Sequence, residues 1–163
     1  MLKWTWLSGV VIFIDQLTKY LASTLLDMHQ PVSIIPMFNL YLTHNYGAAF
    51  SFLSQAGGWQ RWFFTIVALV VSVIIITWVR RLKDNETLQA VSLSLILGGA
   101  LGNVIDRLIF GYVIDFIDVY YGDWHWPAFN IADSAITIGV ALLLIDAIQQ
   151  YKAELANRQA SSD

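Results

Sequence analysis

Long apolar runs alternate with polar connections along this chain. Four blocks, residues 4–26, 59–79, 88–109 and 129–148, are each about 20 residues of mostly apolar side chains. An α-helix of ~20 residues spans the ~30 Å hydrocarbon core of a bilayer. Lipid cannot satisfy an open backbone, so helices are the expected form of all four. Aromatic residues gather at the block ends (Trp4, Trp6, Trp59, Trp62, Trp78, Tyr112 and Tyr151), as in interfacial belts. The alternative is an unusually apolar soluble core.

Basic residues set an orientation. Lys3, then Arg80, Arg81 and Lys83, then Lys152 and Arg158 flank the blocks on one side, and residues 27–58 and 110–128 carry no Lys or Arg. Both termini are therefore expected in the cytoplasm, with two loops outside. Asp15 and Lys19 interrupt the first block and no small-residue cleavage site follows, so it reads as a retained span rather than a signal peptide. In the first outer loop, residues 32–43 are rich in β-formers and predict short strands. Gly57-Gly58 marks a join to the second span. The second outer segment, with Asp115, Asp118, Asp123, His125 and Trp126-Pro127, reads as a loop. The tail beyond Tyr151 is polar and reads as frayed.

Composition sharpens the picture. Of 163 residues, 57% are hydrophobic and 13% charged, about half the charge of an ordinary soluble domain (~25%). Nine Lys and Arg against twelve Asp and Glu leave net −3 and no basic stripe, which argues against nucleic acid as a partner. The absence of cysteine removes disulfides, thiolate metal sites and a Cys nucleophile together.

The informative residues are the polar ones inside the apolar blocks. An ionisable group at the centre of a span costs at least ~2.5–3.5 kcal/mol, so function or pairing is its default reading. Asp15 and Lys19, Asn103 with Asp106 and Arg107, and Asn130 with Asp133 fall at one depth, toward the outer side. Ion pairing accounts for Asp15–Lys19, spaced i, i+4, and in part for Asp106–Arg107. It leaves Asp115 and Asp133 without a local cation. The spacing Gly98-xxx-Gly102 speaks of close helix packing, not chemistry.

Several chemistries compete. His29, His44 and His125 have no ligand spacing, so nothing favours a metal, and no His lies at the polar depth for a Ser–His–Asp triad. Lys19 and Ser23, i, i+4, could form a Ser–Lys dyad, though Asp15 already faces Lys19. Asp115 and Asp133, from separate elements, could form a carboxylate pair sharing one proton and activating water against an amide. Asp118 and Asp123 are rivals for the first role but are expected to face solvent. A proton- or ion-coupled transporter is the other class; the lack of an inverted repeat and of polar groups on the inner side argues against it.

Five motifs in order give the chain a specific resemblance: Asp15-Gln16-Leu17-Thr18-Lys19; Asn45-Tyr46-Gly47-Ala48-Ala49-Phe50; Gly98 through Arg107; Val113-Ile114-Asp115-Phe116; and Trp126 through Asp133. Over nearly its whole length the chain resembles the bacterial lipoprotein signal peptidases (signal peptidase II). That resemblance implies a four-transmembrane-helix bundle with a small extracytoplasmic β-cradle, in the inner membrane. It implies an aspartic endopeptidase that cuts diacylglyceryl-modified prolipoproteins just before the lipidated Cys, as a monomer among membrane lipids, without cofactor or metal. By motif, Asp115 and Asp133 would be catalytic. Asn45, Asn103, Arg107 and Asn130 would bind substrate, and Asp15, Lys19, Asp106 and Gly47 would be supports.

Overall fold

A computed structural model describes residues 1–47 and 57–160. Residues 48–50, the end of the second motif, lie outside the described residues. A 3₁₀ turn, Leu2–Thr5, leads into α1, Trp6–Leu25. The strands β1, Val32–Ile35, and β2, Phe38–Asn45, follow. Then come α2, Trp59–Arg81, α3, Thr87–Ile109, β3, Val113–Tyr121, β4, Trp124–His125, and α4, Ile131–Ala160. The chain is thus mostly helical, with one small antiparallel sheet in the order β1-β2-β3-β4.

Three helices, α2, α3 and α4, are long and apolar enough to cross a membrane. α1 is 20 residues long but carries Asp15 and Lys19 within it. α3 is the central helix. Its buried set is the largest of those described for α1, α2 and α3, and it packs on each of the other helices. α2 instead exposes Ile66, Val70, Val73 and Ile74 along its length, an apolar face fit for lipid rather than water.

Glycine lets α3 sit at the centre. A Cβ on Gly98 would lie 2.7 Å from Val11 Cβ on α1, and one on Gly99 would strike the Ala132 carbonyl of α4. Across the same interface, a Cβ on Gly139 would lie 2.7 Å from the Ser92 carbonyl oxygen. These obstacles are largely backbone, which cannot swing aside. The Gly98–Gly102 spacing is therefore a packing device, as expected from the sequence.

The sheet closes one end of the bundle. Leu42, Ile114 and Phe116 pack with Ala22 near the end of α1, and Ile131 at the start of α4 adds to this cluster. Residues 32–43 form strands as expected, and β2 continues to Asn45. The hairpin between β1 and β2 turns at Met37, whose φ of 70° is left-handed.

Two expectations need correction. Residues 110–128 contain a nine-residue strand, β3, rather than only a loop. Its polar residues Asp115 and Asp118 are three apart and so fall on opposite faces, which broke the period-2 pattern that marks a half-buried strand. The tail beyond Tyr151 continues α4 as helix to Ala160. Arg158 and Glu154 pair there at i, i+4.

Candidate active site

Where the sheet meets α1, α3 and α4, polar side chains from all four elements interlock. Lys19 of α1 is the hub. It is 1% exposed, and its Nζ donates to Asp15 Oδ2 at 2.8 Å, Asp106 Oδ2 at 2.8 Å and Asn103 Oδ1 at 2.9 Å. An ammonium has three protons, and these bonds use all three.

The two supporting carboxylates hold backbone as well as charge. Asp15 Oδ1 accepts the N–H of Ala132 at 2.8 Å, in the first turn of α4, where helical N–H groups lack partners of their own. Asp106 Oδ2 accepts the N–H of Ile114 at 3.1 Å and so fastens the start of β3 to α3. Gly102 makes room for the arrangement, since a Cβ there would sit 2.7 Å from Asp15 Oδ2.

Asn130, immediately before α4, links the hub to the remaining carboxylates. Its Oδ1 accepts the N–H of Asp133 at 2.9 Å, an N-cap bond. That leaves Nδ2 free to donate to Asp115 Oδ1 at 2.7 Å. Asn103 accepts from Lys19 on its oxygen and donates from Nδ2 to Asp133 Oδ1 at 2.8 Å. Asn45, at the end of β2, donates to Asp115 Oδ2 at 3.1 Å and accepts the Gly47 N–H at 3.0 Å. Antiparallel pairing sets this reach, because Asn45 lies opposite Val113 and Thr43 opposite Asp115.

Asp115 is 2% exposed. Burial pushes its carboxyl up to about 7, and the neighbouring charge of Asp133 pushes the same way. The amides of Asn45 and Asn130 and the charge of Lys19 oppose the rise without cancelling it. Asp133 is partly exposed and lines a cleft of about 630 Å³ with Asn45, Asn103 and Arg107. Trp126, Pro127 and Phe129 form another wall, and Ile136 and Ile138 of α4 extend it along the helix.

Each residue that the resemblance marks as catalytic, substrate-binding or supporting lies in this cluster or on its border, but some pairings differ. Asp106 pairs with Lys19, not with Arg107. Successive residues on a helix do not face each other, and Arg107 turns the other way. Its Nη2 donates to the Gly47 carbonyl at 3.1 Å, and its guanidinium lies 5.6 Å from the Phe64 ring centre. Asp118 does not face solvent. It is 5% exposed and accepts from Asn39 Nδ2 at 2.9 Å, with His125 Nδ1 at 2.8 Å. Those bonds lie on the opposite face of β3 from Asp115.

The Ser–Lys and Ser–His–Asp alternatives lose ground. Ser23 is exposed, and Lys19 has no proton position left for it. His44 stacks on Tyr112 and His125 on Tyr120. Among the described residues, neither bonds to Asp115 or Asp133, and no cluster of three or more His, Asp or Glu could hold a metal.

Sequence reasoning missed Gln16. Its Nε2 donates to Asp106 Oδ1 at 2.8 Å and reaches the Gly102 carbonyl and Asp15 Oδ2, each at 3.2 Å. It thus spans both carboxylates that hold Lys19. The available signal was an amide beside Asp15 inside an apolar block.

Membrane-length helices are capped by a small sheet, with buried carboxylates and amides beneath it. Two solved structures described as bacterial membrane enzymes share the fold. One has a TM-score of 0.81 and 34% identity, covering 91% of this chain and 89% of the other. The second has a TM-score of 0.75 and 34% identity, with 89% and 92% covered. The family model for signal peptidase (SPase) II matches residues 7–149, and the chain belongs to that peptidase family. A lipoprotein signal peptidase of Acinetobacter baylyi is 53% identical over 99% of this chain and 90% of its own length. One of Alteromonas mediterranea is 54% identical over 89% and 80%.

Proposed function

We propose that the chain is an aspartic endopeptidase that removes the signal peptide from diacylglyceryl-modified bacterial prolipoproteins, cutting just before the lipidated Cys. The observation that carries this reading is the convergence of Asp115 and Asp133 on Asn130, whose Nδ2 donates to the buried Asp115 carboxyl and whose Oδ1 accepts the Asp133 N–H, with Asp133 lining the cleft. Two carboxyl groups that feel each other's charge, as Asp115 feels that of Asp133, can hold one proton between them.

In the proposed reaction, Asp133 is the ionised member and takes a proton from water as the water oxygen bonds to the scissile carbonyl carbon. Asp115 carries the shared proton and gives it to the carbonyl oxygen. In the second step the amide nitrogen is protonated by the Asp133 carboxyl, the C–N bond breaks, and Asp115 recovers its proton from the collapsing diol. Lys19 favours this division, because Asn103 relays its positive charge to Asp133 through two hydrogen bonds. Asn45 and Asn130 each present an amide to Asp115 and keep its carboxyl in place. Arg107, on the cleft wall, offers a planar donor fork to backbone carbonyls of an extended peptide. The apolar stretch at Ile136 and Ile138 gives the acyl chains a path along α4.

In the same reading, all four long helices span the inner membrane. Both termini are cytoplasmic, residues 27–58 and 110–128 are outside, and the protein works as a monomer. Asp15 and Lys19 are tolerated in α1 because they are paired inward. Single cysteines at Ser33 and Gln159 test the orientation in a chain that has no other. An impermeant thiol reagent applied to intact cells should label position 33 alone; labelling of 159 alone would invert the topology.

The function itself is tested with the purified chain and two peptides of one lipobox sequence, with and without the diacylglyceryl group. The lipidated peptide should be cut before the modified Cys, in the presence of a chelator, and the unlipidated one barely at all. Equal cleavage of both would remove the lipid from the account. No cleavage, together with ion flux in proteoliposomes, would favour the transporter class.

A further inference from the structure

A second cavity, of about 600 Å³, lies at the opposite end of the bundle, between α2 and α3. Ile74, Thr77, Trp78 and Arg81 of α2, Leu82 and Lys83 of the turn, and Glu86 and Gln89 line it. We propose that this cavity binds the headgroup of an anionic glycerophospholipid, with Arg81 and Lys83 on its phosphate.

Charge is the first argument. Arg81 and Lys83 are exposed, and neither forms an ion pair among the described residues. The acid on the wall, Glu86, is engaged elsewhere: its Oε2 accepts the N–H of Lys83 itself. That bond fixes the turn and keeps one carboxylate oxygen off the two cations. The lining holds two cations against one anion. Asp84 is the other acid in the turn and does not line the cavity.

Depth is the second argument. Trp78 sits one turn before Arg81 and is 42% exposed, and Ile74, one turn further into the apolar stretch, is 54% exposed. Cation, tryptophan and aliphatic side chain thus follow one another along α2 in the order phosphate, glycerol and acyl chain occupy in a leaflet. Interfacial Trp and flanking cations favour that layer of the membrane. A soluble phosphate would need only the two cations; the apolar continuation toward Ile74 fits a lipid. The inference rests on α2 and α3 lying in a bilayer and not on the assignment of Asp115 and Asp133.

The full-length protein, purified in neutral detergent, is examined by native mass spectrometry with added phosphatidylglycerol, or phosphatidylcholine of the same acyl chains. The unaltered protein should retain phosphatidylglycerol on the order of tenfold better. Arg81→Gln with Lys83→Gln should bring the two lipids level. Arg80→Gln with Lys152→Gln, which removes equal charge outside the cavity, should leave the preference intact. The proposal is overturned if the first pair keeps the preference, if the second pair loses it equally, or if phosphatidylcholine is retained as well from the start. Displacement of the lipid by an equal concentration of glycerol phosphate would make this a site for a soluble phosphate. Matching melting temperatures establish that both pairs are folded.

Discussion

Asp115→Asn and Asp133→Asn should each reduce cleavage of lipidated substrate to near background while the protein stays folded. An amide keeps the size of the side chain but cannot pass a proton back and forth. General acid–base assistance is worth roughly 10²–10⁴-fold per group, so each loss should be at least of that order. The double variant should be little worse than either single one, because groups acting as a unit are not additive. Stability should move the opposite way for Asp115. Its folded value of about 7 lies above the ordinary 3.8. Its contribution is therefore fully present below about pH 4 and lost as pH rises through 7. At pH 8 the Asn variant, with no charge to bury, should melt no lower than the parent. Substantial turnover by either Asn variant would remove the carboxylate pair from the chemistry.

Lys19→Met should do the reverse, harming the fold first. Lys19 neutralises Asp15 and Asp106 together, and its removal leaves two buried carboxylates with no cation on them. Breaking a buried ion pair from one side costs about 3–5 kcal/mol. For a chain of this length that is a fall in melting temperature of roughly 10 °C or more. The loss should spread, because Asp15 also holds the first turn of α4 and Asp106 the first residues of β3. Adding Asp15→Asn and Asp106→Asn to Lys19→Met should recover part of the stability by removing the stranded charges. A Lys19→Met protein that melts like the parent yet cleaves nothing would return lysine to the chemistry.

These two results divide the polar residues by role, and the sequence already hinted at the division. Apolar length gave the helices, because a bilayer admits few alternatives. The charges inside those blocks marked the site, because each had to be repaid by a partner. Asp15 and Lys19 were legible as a pair through their helical spacing. The third partner, Asp106, was not, since it lies 87 residues away from Lys19 and only the packing of α3 on α1 brings it in. The same limit hid Gln16, two of whose acceptors, Asp106 and the Gly102 carbonyl, sit on α3. Strand β3 was hidden for another reason. Asp115 and Asp118 are both buried on opposite faces, each met by asparagine from β2, so polarity did not alternate with exposure. Local spacing reads one element at a time, and this site is built from three helices and two strands.

The central claim is that Asp115 and Asp133 share the working proton. The most direct measurement is the pH dependence of kcat/KM for the lipidated peptide, in the presence of a chelator. The account predicts a bell. Activity should fall on the acid side as the pair takes up its second proton and no base remains. It should fall on the alkaline side near pH 7, where Asp115 gives up the proton it must donate, the two limbs belonging to the pair rather than to either residue. A rate that is flat from pH 5 to 9, or that climbs steadily through pH 9 as a lysine base would require, would contradict it.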